Sequence, residues 1–157
     1  MLFSKKKKLS FSKQKPKILM VEDNRANHQL FQMAFEQAGF EVKIEQNAEV
    51  GFVDIAAEFA PDIISLDIMI GKSGADLQVG GLEALQLLKT DERTAHIPVM
   101  MLTNFFEETK VAKAKEYGAV DFLSLQSGPI NRTTDYFLRY LQNPKGYVPV
   151  NKVFIQE

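Results

Sequence analysis

The feature that most constrains the fold of this chain is a regular alternation of short apolar runs with segments of helical periodicity. Apolar runs predict strands at 17–21, 40–45, 63–67, 97–102 and 119–125. Helical spacing predicts helices at 25–38, 47–59, 82–90, 107–117 and 133–141, with Val50 facing the core and Gly39 and Gly118 as C-terminal stops. Strands and helices that alternate in this way indicate one α/β domain, with helices on both faces of a parallel sheet.

Composition limits the class of protein further. With 157 residues and 45% hydrophobic content, the chain can build one domain with an ordinary core. It contains no cysteine, which excludes disulfides, thiolate metal sites and cysteine nucleophiles. Its apolar runs are far shorter than the roughly 20 residues that span a bilayer, and we expect a soluble, cytoplasmic protein.

The small net charge of −1 hides a basic amino terminus on an acidic body. The first 17 residues hold seven lysines and no acid, so the other 140 carry a net charge of −8. Residues 1–16 cannot form a core and are interpreted as a flexible basic extension. This extension is either a solvated tail or a weak contact with an anionic membrane surface or an acidic partner through Lys5–Lys8.

Polar side chains stand where three of the predicted strands end. Glu22 and Asp23 follow the first strand, Asp67 ends the third and Thr103 the fourth. The carboxyl ends of parallel strands meet at one edge of a sheet, so three carboxylates and a hydroxyl should converge there. A plain loop-capping role for Asp67 is the alternative.

Such a cluster points to a metal ion and phosphoryl chemistry. Two carboxylates ~4 Å apart repel by about 4 kcal/mol at an effective dielectric of ~20, so three require a cation or raised pKa values. Mg²⁺ prefers oxygen ligands and binds through a few carboxylates together with a phosphate. With that charge offset, one carboxylate could attack a phosphoryl donor, and Thr103 could donate to a phosphoryl oxygen.

Four motifs in this order resemble those of the two-component response regulator receiver domain. They are Ile18-Leu19-Met20-Val21-Glu22-Asp23-Asn24, Leu66-Asp67-Ile68-Met69, Ile97-Pro98-Val99-Met100-Met101-Leu102-Thr103 and Gly118-Ala119-Val120-Asp121-Phe122-Leu123. The resemblance covers about 16–142, so 17–142 is the expected receiver domain and 143–157 a C-terminal tail. It implies a flavodoxin-like, doubly wound sheet of five parallel strands in the order 2-1-3-4-5.

The resemblance also implies a role for each matching residue. Asp67 would be the phosphoacceptor, and Glu22 and Asp23 the acid pair that holds Mg²⁺ with Asp67. The Met69 carbonyl would complete the metal site. Thr103 would be the switch hydroxyl, and Phe122 would be the switch aromatic.

Two departures from the family pattern stand close to this site. Leu125-Gln126 occupies the place of a phosphate-binding lysine and a proline, so a charge-assisted contact is lost and a trans peptide bond is expected. The loop from Asp67 to Gly81 is about six residues longer than usual. It is either a plain turn or a partner-binding lid that brings Lys72 to the pocket.

Two functions remain open at this stage. The chain is either a stand-alone receiver, phosphorylated on Asp67 by a histidine kinase or phosphotransfer protein, or a phosphorylation-independent receiver-like adaptor. In both cases we expect a non-enzymatic protein that signals to a downstream protein target without binding nucleic acid. The family often forms homodimers through helix four, strand five and helix five.

Two further features have interpretations that bear on the structure. His28 is interpreted as a surface or capping side chain rather than a phosphorelay histidine. The tail after Pro144 is too apolar for a plain linker, and is expected to dock either on the domain or on a partner.

Overall fold

The sheet has the predicted topology. The computed structural model describes residues 14–70, 80–104 and 106–155. Within these residues the strands are β1 (Lys17–Val21), β2 (Glu41–Glu45), β3 (Ile63–Leu66), β4 (Val99–Thr103) and β5 (Asp121–Ser124). All neighbouring strands are parallel and their order is β2-β1-β3-β4-β5, which confirms the doubly wound fold of order 2-1-3-4-5.

Helices cover both faces of this sheet. They are α1 (Arg25–Gln37), α2 (Phe52–Phe59), α3 (Gly81–Thr90), α4 (Glu108–Glu116) and α5 (Ile130–Gln142), with short 3₁₀ turns at Leu125–Ser127 and Lys152–Phe154. α1 and α5 bury Phe31, Phe35 and Phe137 against one face. α2, α3 and α4 pack on the other, where Phe52, Leu85 and Val111 are buried. In the described part of the chain, no helix has the length and apolar character needed to cross a membrane.

The second helix begins later than predicted. Asn47 accepts a hydrogen bond from the Glu49 amide (3.2 Å), so it caps a turn and not the helix. Gly51 then takes a positive φ of 92°, a backbone conformation that glycine adopts readily, and α2 starts at Phe52. The expectation that Val50 faces the core is therefore wrong, because its side chain is fully exposed.

The last strand and helix also shift from their predicted limits. β5 ends at Ser124, whose hydroxyl accepts from the Gln126 amide (3.1 Å) and starts the 3₁₀ turn at Leu125. α5 starts at Ile130, three residues before the predicted position, directly after Pro129. The bond between Leu125 and Gln126 is trans, as expected.

The tail after α5 folds back onto the domain. Phe154 is only 6% exposed and joins the core on the α4 side of the sheet. Of the two alternatives left by the sequence, docking on the domain is the one observed. Residues 1–13, with Lys5–Lys8, and residues 71–79, with Lys72, lie outside the described residues.

Candidate functional site

Strand register brings the predicted acidic residues to one edge of the sheet. Val21 pairs with Leu66 and Leu66 with Met101, so the residues that follow β1 and β3 emerge side by side, next to the end of β4. Glu22, Asp23 and Asp67 each offer a carboxylate oxygen, and these oxygens lie within 4.8 Å of one another. The convergence expected from the strand ends is present in the structure.

Glu22 is the most deeply buried member of this acidic cluster. Its side chain is 3% exposed and accepts a hydrogen bond from the Asn24 amide (3.0 Å). Burial, opposed by that hydrogen bond and reinforced by the charges of Asp67 and Asp23, raises the pKa of Glu22 to about 7. Without a cation, Glu22 is therefore about half protonated near pH 7, where an isolated glutamate is ionised.

Asp67 is held in a defined orientation by two donors. It is 8% exposed, and its Oδ1 accepts from the Thr103 hydroxyl (2.8 Å) and from the Met69 amide (3.0 Å). Thr103 is 1% exposed and reaches Asp67 from the last position of β4. The predicted switch hydroxyl thus contacts the predicted phosphoacceptor directly.

A cleft opens above these groups and is large enough for a phosphoryl group. Its volume is about 320 Å³, and it is lined by Glu22, Asp23, Asn24, Asn27, Asp67, Met69, Thr103 and Asn104. None of these described lining residues is a cation. Leu125 is not among them, because its side chain packs on the apolar cluster shared by α1 and α5.

Phe122 lies in a different environment from the acidic cluster. It is 3% exposed and belongs to the core on the α4 side of the sheet. Its ring packs edge-on against Phe106, with 6.3 Å between centroids. Phe122, on β5, thus packs on the side of the sheet that α4 covers and does not line the cleft.

The loop after β1 and the first turn of α1 contain residues near the site that the sequence interpretation did not assign to it. Asn24 caps α1 by accepting from the Ala26 amide (3.0 Å). His28 Nε2 lies 2.5 Å from the Glu22 carbonyl oxygen, to which it donates. Their spacing from the acid pair is the sequence signal that could have placed them near the site, because Asn27 and His28 lie in the first turn of the helix that follows this pair.

Gly81 packs directly against the backbone of Asp67. A Cβ atom on Gly81 would lie 2.3 Å from the Asp67 carbonyl oxygen and 2.7 Å from Ile68 Cα, distances that a real side chain does not reach. The Gly81 amide also donates to the Ile68 carbonyl (3.2 Å). The first residue of α3 must therefore lack a side chain for Asp67 to occupy its position.

Comparison with known proteins identifies the family. The family model described as the response regulator receiver domain matches residues 18–130. This chain belongs to the response regulator receiver family. Such receivers act in two-component signalling, and the family is phosphorylated on an aspartate and uses Mg²⁺.

Named relatives agree with this assignment. The polar-differentiation response regulator DivK of Brucella ovis is 33% identical over 107 residues, which span 68% of this chain and 81% of that protein. The DNA-binding dual master transcriptional regulator RpaA of Synechocystis is 35% identical over 109 residues, or 69% of this chain and 42% of RpaA.

Solved structures show the same receiver fold. The chemotaxis response regulator CheY4 of Vibrio cholerae superposes with a TM-score of 0.67 at 20% identity, covering 82% of this chain and 99% of CheY4. The phosphorylated cyanobacterial phytochrome response regulator RcpA gives a TM-score of 0.66 at 22% identity, over 83% of this chain and 96% of RcpA.

The acidic cluster of this receiver fits the metal that the family uses. Three carboxylate oxygens within 4.8 Å form an oxygen-only donor set, which suits a hard divalent cation. Burial, with the charges of Asp67 and Asp23, raises the pKa of Glu22, and none of the described residues that line the cleft is a cation. Glu22, Asp23 and Asp67 are the side chains that could hold Mg²⁺.

Proposed function

We propose that this receiver accepts a phosphoryl group on Asp67 from the phosphohistidine of a histidine kinase or phosphotransfer protein. The observation that carries the proposal is the arrangement of Asp67 itself. Its carboxylate is oriented by Thr103 (2.8 Å) and lies among two further acids at the mouth of an open cleft. A buried carboxylate in a crowd of like charge is unfavourable in a purely structural role.

Each site residue has a defined part in the transfer. An Asp67 carboxylate oxygen bonds to phosphorus while the P–N bond to the donor imidazole breaks, and the imidazole leaves with the electron pair and takes up a proton. Glu22, Asp23, Asp67 and the Met69 carbonyl would hold Mg²⁺, which would supply positive charge to offset the charge on the phosphoryl oxygens. The Thr103 hydroxyl turns from Asp67 to a phosphoryl oxygen, and Phe122 adjusts its packing when Thr103 moves.

The wider assignments of this proposal follow from the sequence. Residues 17–142 form the receiver, with 1–16 as a basic extension and 143–157 as a tail. The protein signals by contact with a downstream protein in the cytoplasm. Membrane contact through Lys5–Lys8 and homodimer formation through α4, β5 and α5 stay predictions.

Intact-mass measurement after incubation with acetyl phosphate or phosphoramidate tests the proposal. With Mg²⁺ we expect a gain of one phosphoryl group, which is absent when Mg²⁺ is chelated and in Asp67→Ala. The switch variant Thr103→Ala is expected to remain phosphorylatable with a lower yield. No gain in mass under any condition would refute the proposal.

A phosphorylation-independent adaptor is the second candidate, and the position of Leu125 favours it. The side chain that replaces the family's lysine packs away from the cleft, and no described lining residue supplies a cation. A charge-assisted contact contributes roughly 1.5–3 kcal/mol, so Leu125→Lys should speed phosphorylation about tenfold or more. The matched variant Leu125→Met should not. An adaptor would show no phosphorylation in either variant.

A further inference from the structure

Residues 144–155, called here the strap, are attached to α4 and β5 at two points. The strap lies beyond residue 130, where the match to the receiver family ends. It leaves α5 at Pro144, crosses the start of β5 and ends in the 3₁₀ turn beside α4. Its attachment therefore involves residues outside the part of the chain that the family model matches.

The first attachment point is Asp121, a fully buried carboxylate at the start of β5. Its Oδ2 accepts from the Tyr147 hydroxyl (2.5 Å) and the Val150 amide (2.7 Å), and its Oδ1 from the Asn151 amide (3.0 Å). Oδ1 also accepts from the adjacent Phe122 amide (2.8 Å). Three of these four donors belong to the strap. A buried carboxylate is costly without such partners, so the contact is specific.

The second attachment point joins the strap to the core. Phe154 is 6% exposed and lies in the same core cluster as Phe122, Val111 and Ala114. Lys115 on α4 donates to the Val153 carbonyl oxygen (2.8 Å). The strap thus holds α4 and β5 together from outside the sheet.

Strand pairing and core packing connect both attachment points to the surroundings of Asp67. Thr103, which contacts Asp67, pairs in register with Ser124 at the end of β5, and Met101 pairs with Phe122. Phe122 shares its core cluster with Phe154. Because packed interiors leave little free volume, a shift of Thr103 and Phe122 disturbs the packing that holds Phe154.

Between and beside these attachment points the strap is largely exposed. Val148 is 71% exposed, and Val150 and Val153 are 40% and 47% exposed, so most of its apolar residues do not contribute to the core. Segments with few buried contacts and exposed backbone open at lower free energy than the core elements.

We propose that the strap is a releasable clamp on α4 and β5, and that its attachment weakens when a phosphoryl group occupies Asp67. This inference rests on the proposed function. According to this proposal, phosphorylation of Asp67 changes the surface formed by α4 and β5 because it loosens the strap. Linkage then requires the reverse effect: loss of the strap contacts favours phosphorylation of Asp67.

Hydrogen exchange of the full chain tests the clamp, with beryllofluoride and Mg²⁺ as the phosphoryl mimic and ¹⁹F NMR to show that the mimic is bound. We expect amides 147–154 to exchange at least threefold faster when beryllofluoride is bound, with no change in Asp67→Ala. A bound ¹⁹F signal with unchanged exchange overturns the clamp and leaves phosphorylation intact. Absence of any bound signal overturns both proposals, since coupling requires an occupied site.

The reverse effect is tested by variants of the strap. Phe154→Ala should raise the initial rate of phosphorylation by acetyl phosphate severalfold, whereas Val148→Ala, a matched truncation of an exposed strap residue, should not. Tyr147→Phe keeps the ring and removes one hydrogen bond to Asp121, so it serves where Phe154→Ala unfolds. Equal rates in wild type, Tyr147→Phe and any folded Phe154→Ala protein would overturn the clamp.

Discussion

Two buried aspartates lie at opposite strand ends of the same sheet and have different surroundings. Asp67 follows β3 at the carboxyl edge, and two other carboxylates lie within 4.8 Å of it. Asp121 begins β5 at the amino edge, and it accepts four hydrogen bonds from a hydroxyl and three backbone amides. Asp121 thus accepts on both of its oxygens, whereas Asp67 accepts from Thr103 and Met69 on Oδ1 and lies beside two other acids.

This difference separates a carboxylate with a structural role from the one that we propose as the phosphoacceptor. At Asp121 the donors come from the strap, so burial of the charge is coupled to a tertiary contact. At Asp67 two neighbouring carboxylates add negative charge, and the described residues that line the cleft include no cation, so a bound cation would offset this charge. The two sites should therefore respond in opposite directions to the same substitution.

The largest effect is expected from replacing each aspartate by asparagine. In Asp121→Asn one of the two oxygens becomes an NH₂ group, so two buried donors lose their acceptor whichever way the amide turns. At about 1–3 kcal/mol for each group, the variant should lose about 4 kcal/mol of stability. In Asp67→Asn one charge leaves the acidic cluster, and the Mg²⁺-free protein should gain about 1 kcal/mol.

Urea unfolding at pH 8 with EDTA measures both variants. Opposite signs would support the distinction between the two sites. If both variants lost similar amounts of stability, the negative charge of Asp67 would be as fully compensated within the chain as that of Asp121.

The next effect, of about 3 kcal/mol, should follow Gly81→Ala. A Cβ there would lie 2.3 Å from the Asp67 carbonyl oxygen, so the end of β3 must shift. Gly80→Ala is the matched control, because its Cβ would meet only the mobile Glu83 carboxylate, at 2.9 Å. We expect Gly81→Ala to abolish Mg²⁺-dependent phosphorylation while Tyr147 keeps its contact with Asp121. Equal phosphorylation of the two alanine variants would contradict this.

The carboxyl edge of the sheet could be predicted from sequence because its determinants are local. Apolar runs predict the strands, and the residues at the ends of those runs, Glu22, Asp67 and Thr103, predict the chemistry of the strand ends. The same reasoning failed at α2. There Asn47 resembles a helix cap, but Gly51 with φ 92° delays the helix and turns Val50 outward.

The amino edge could not be predicted in this way. Three of the four donors to Asp121 come from residues 26 to 30 positions later in the chain, and no local pattern pairs them. His28 was assigned to a surface or capping role for a related reason. Its contact with the Glu22 carbonyl depends on how the loop between β1 and α1 closes, which the helical period does not specify.

The third effect is a pH dependence of about 2 kcal/mol at the acidic cluster. Burial and the neighbouring acids raise the pKa of Glu22 from 4.5 to about 7, so between these values the folded protein binds more protons than the unfolded chain. The stability of the Mg²⁺-free protein should therefore fall as the pH rises from 5 to 8. Mg²⁺ should consequently stabilise the protein more at pH 8 than at pH 5.5.

Thermal unfolding at both pH values, with Mg²⁺ and with EDTA, measures this dependence. Glu22→Gln should flatten it, and Glu58→Gln, an exposed acid on α2, should leave it unchanged. The same pH profile in Glu22→Gln and wild type would assign the effect to another group.

The smallest effect, of about 1 kcal/mol, is expected at His28. Its Nε2 donates to the Glu22 carbonyl at 2.5 Å and so fixes the loop that presents Glu22 and Asp23. Loss of one such hydrogen bond in His28→Leu should weaken Mg²⁺ binding about fivefold by calorimetry. His28→Gln can restore a donor, and Gln29→Leu changes an exposed neighbour, so both should bind Mg²⁺ within about twofold of wild type. If His28→Leu binds Mg²⁺ as wild type does, the acidic cluster keeps its shape without this contact. The orientation of Glu22 would then depend on the Asn24 amide, which lies 3.0 Å from its carboxylate.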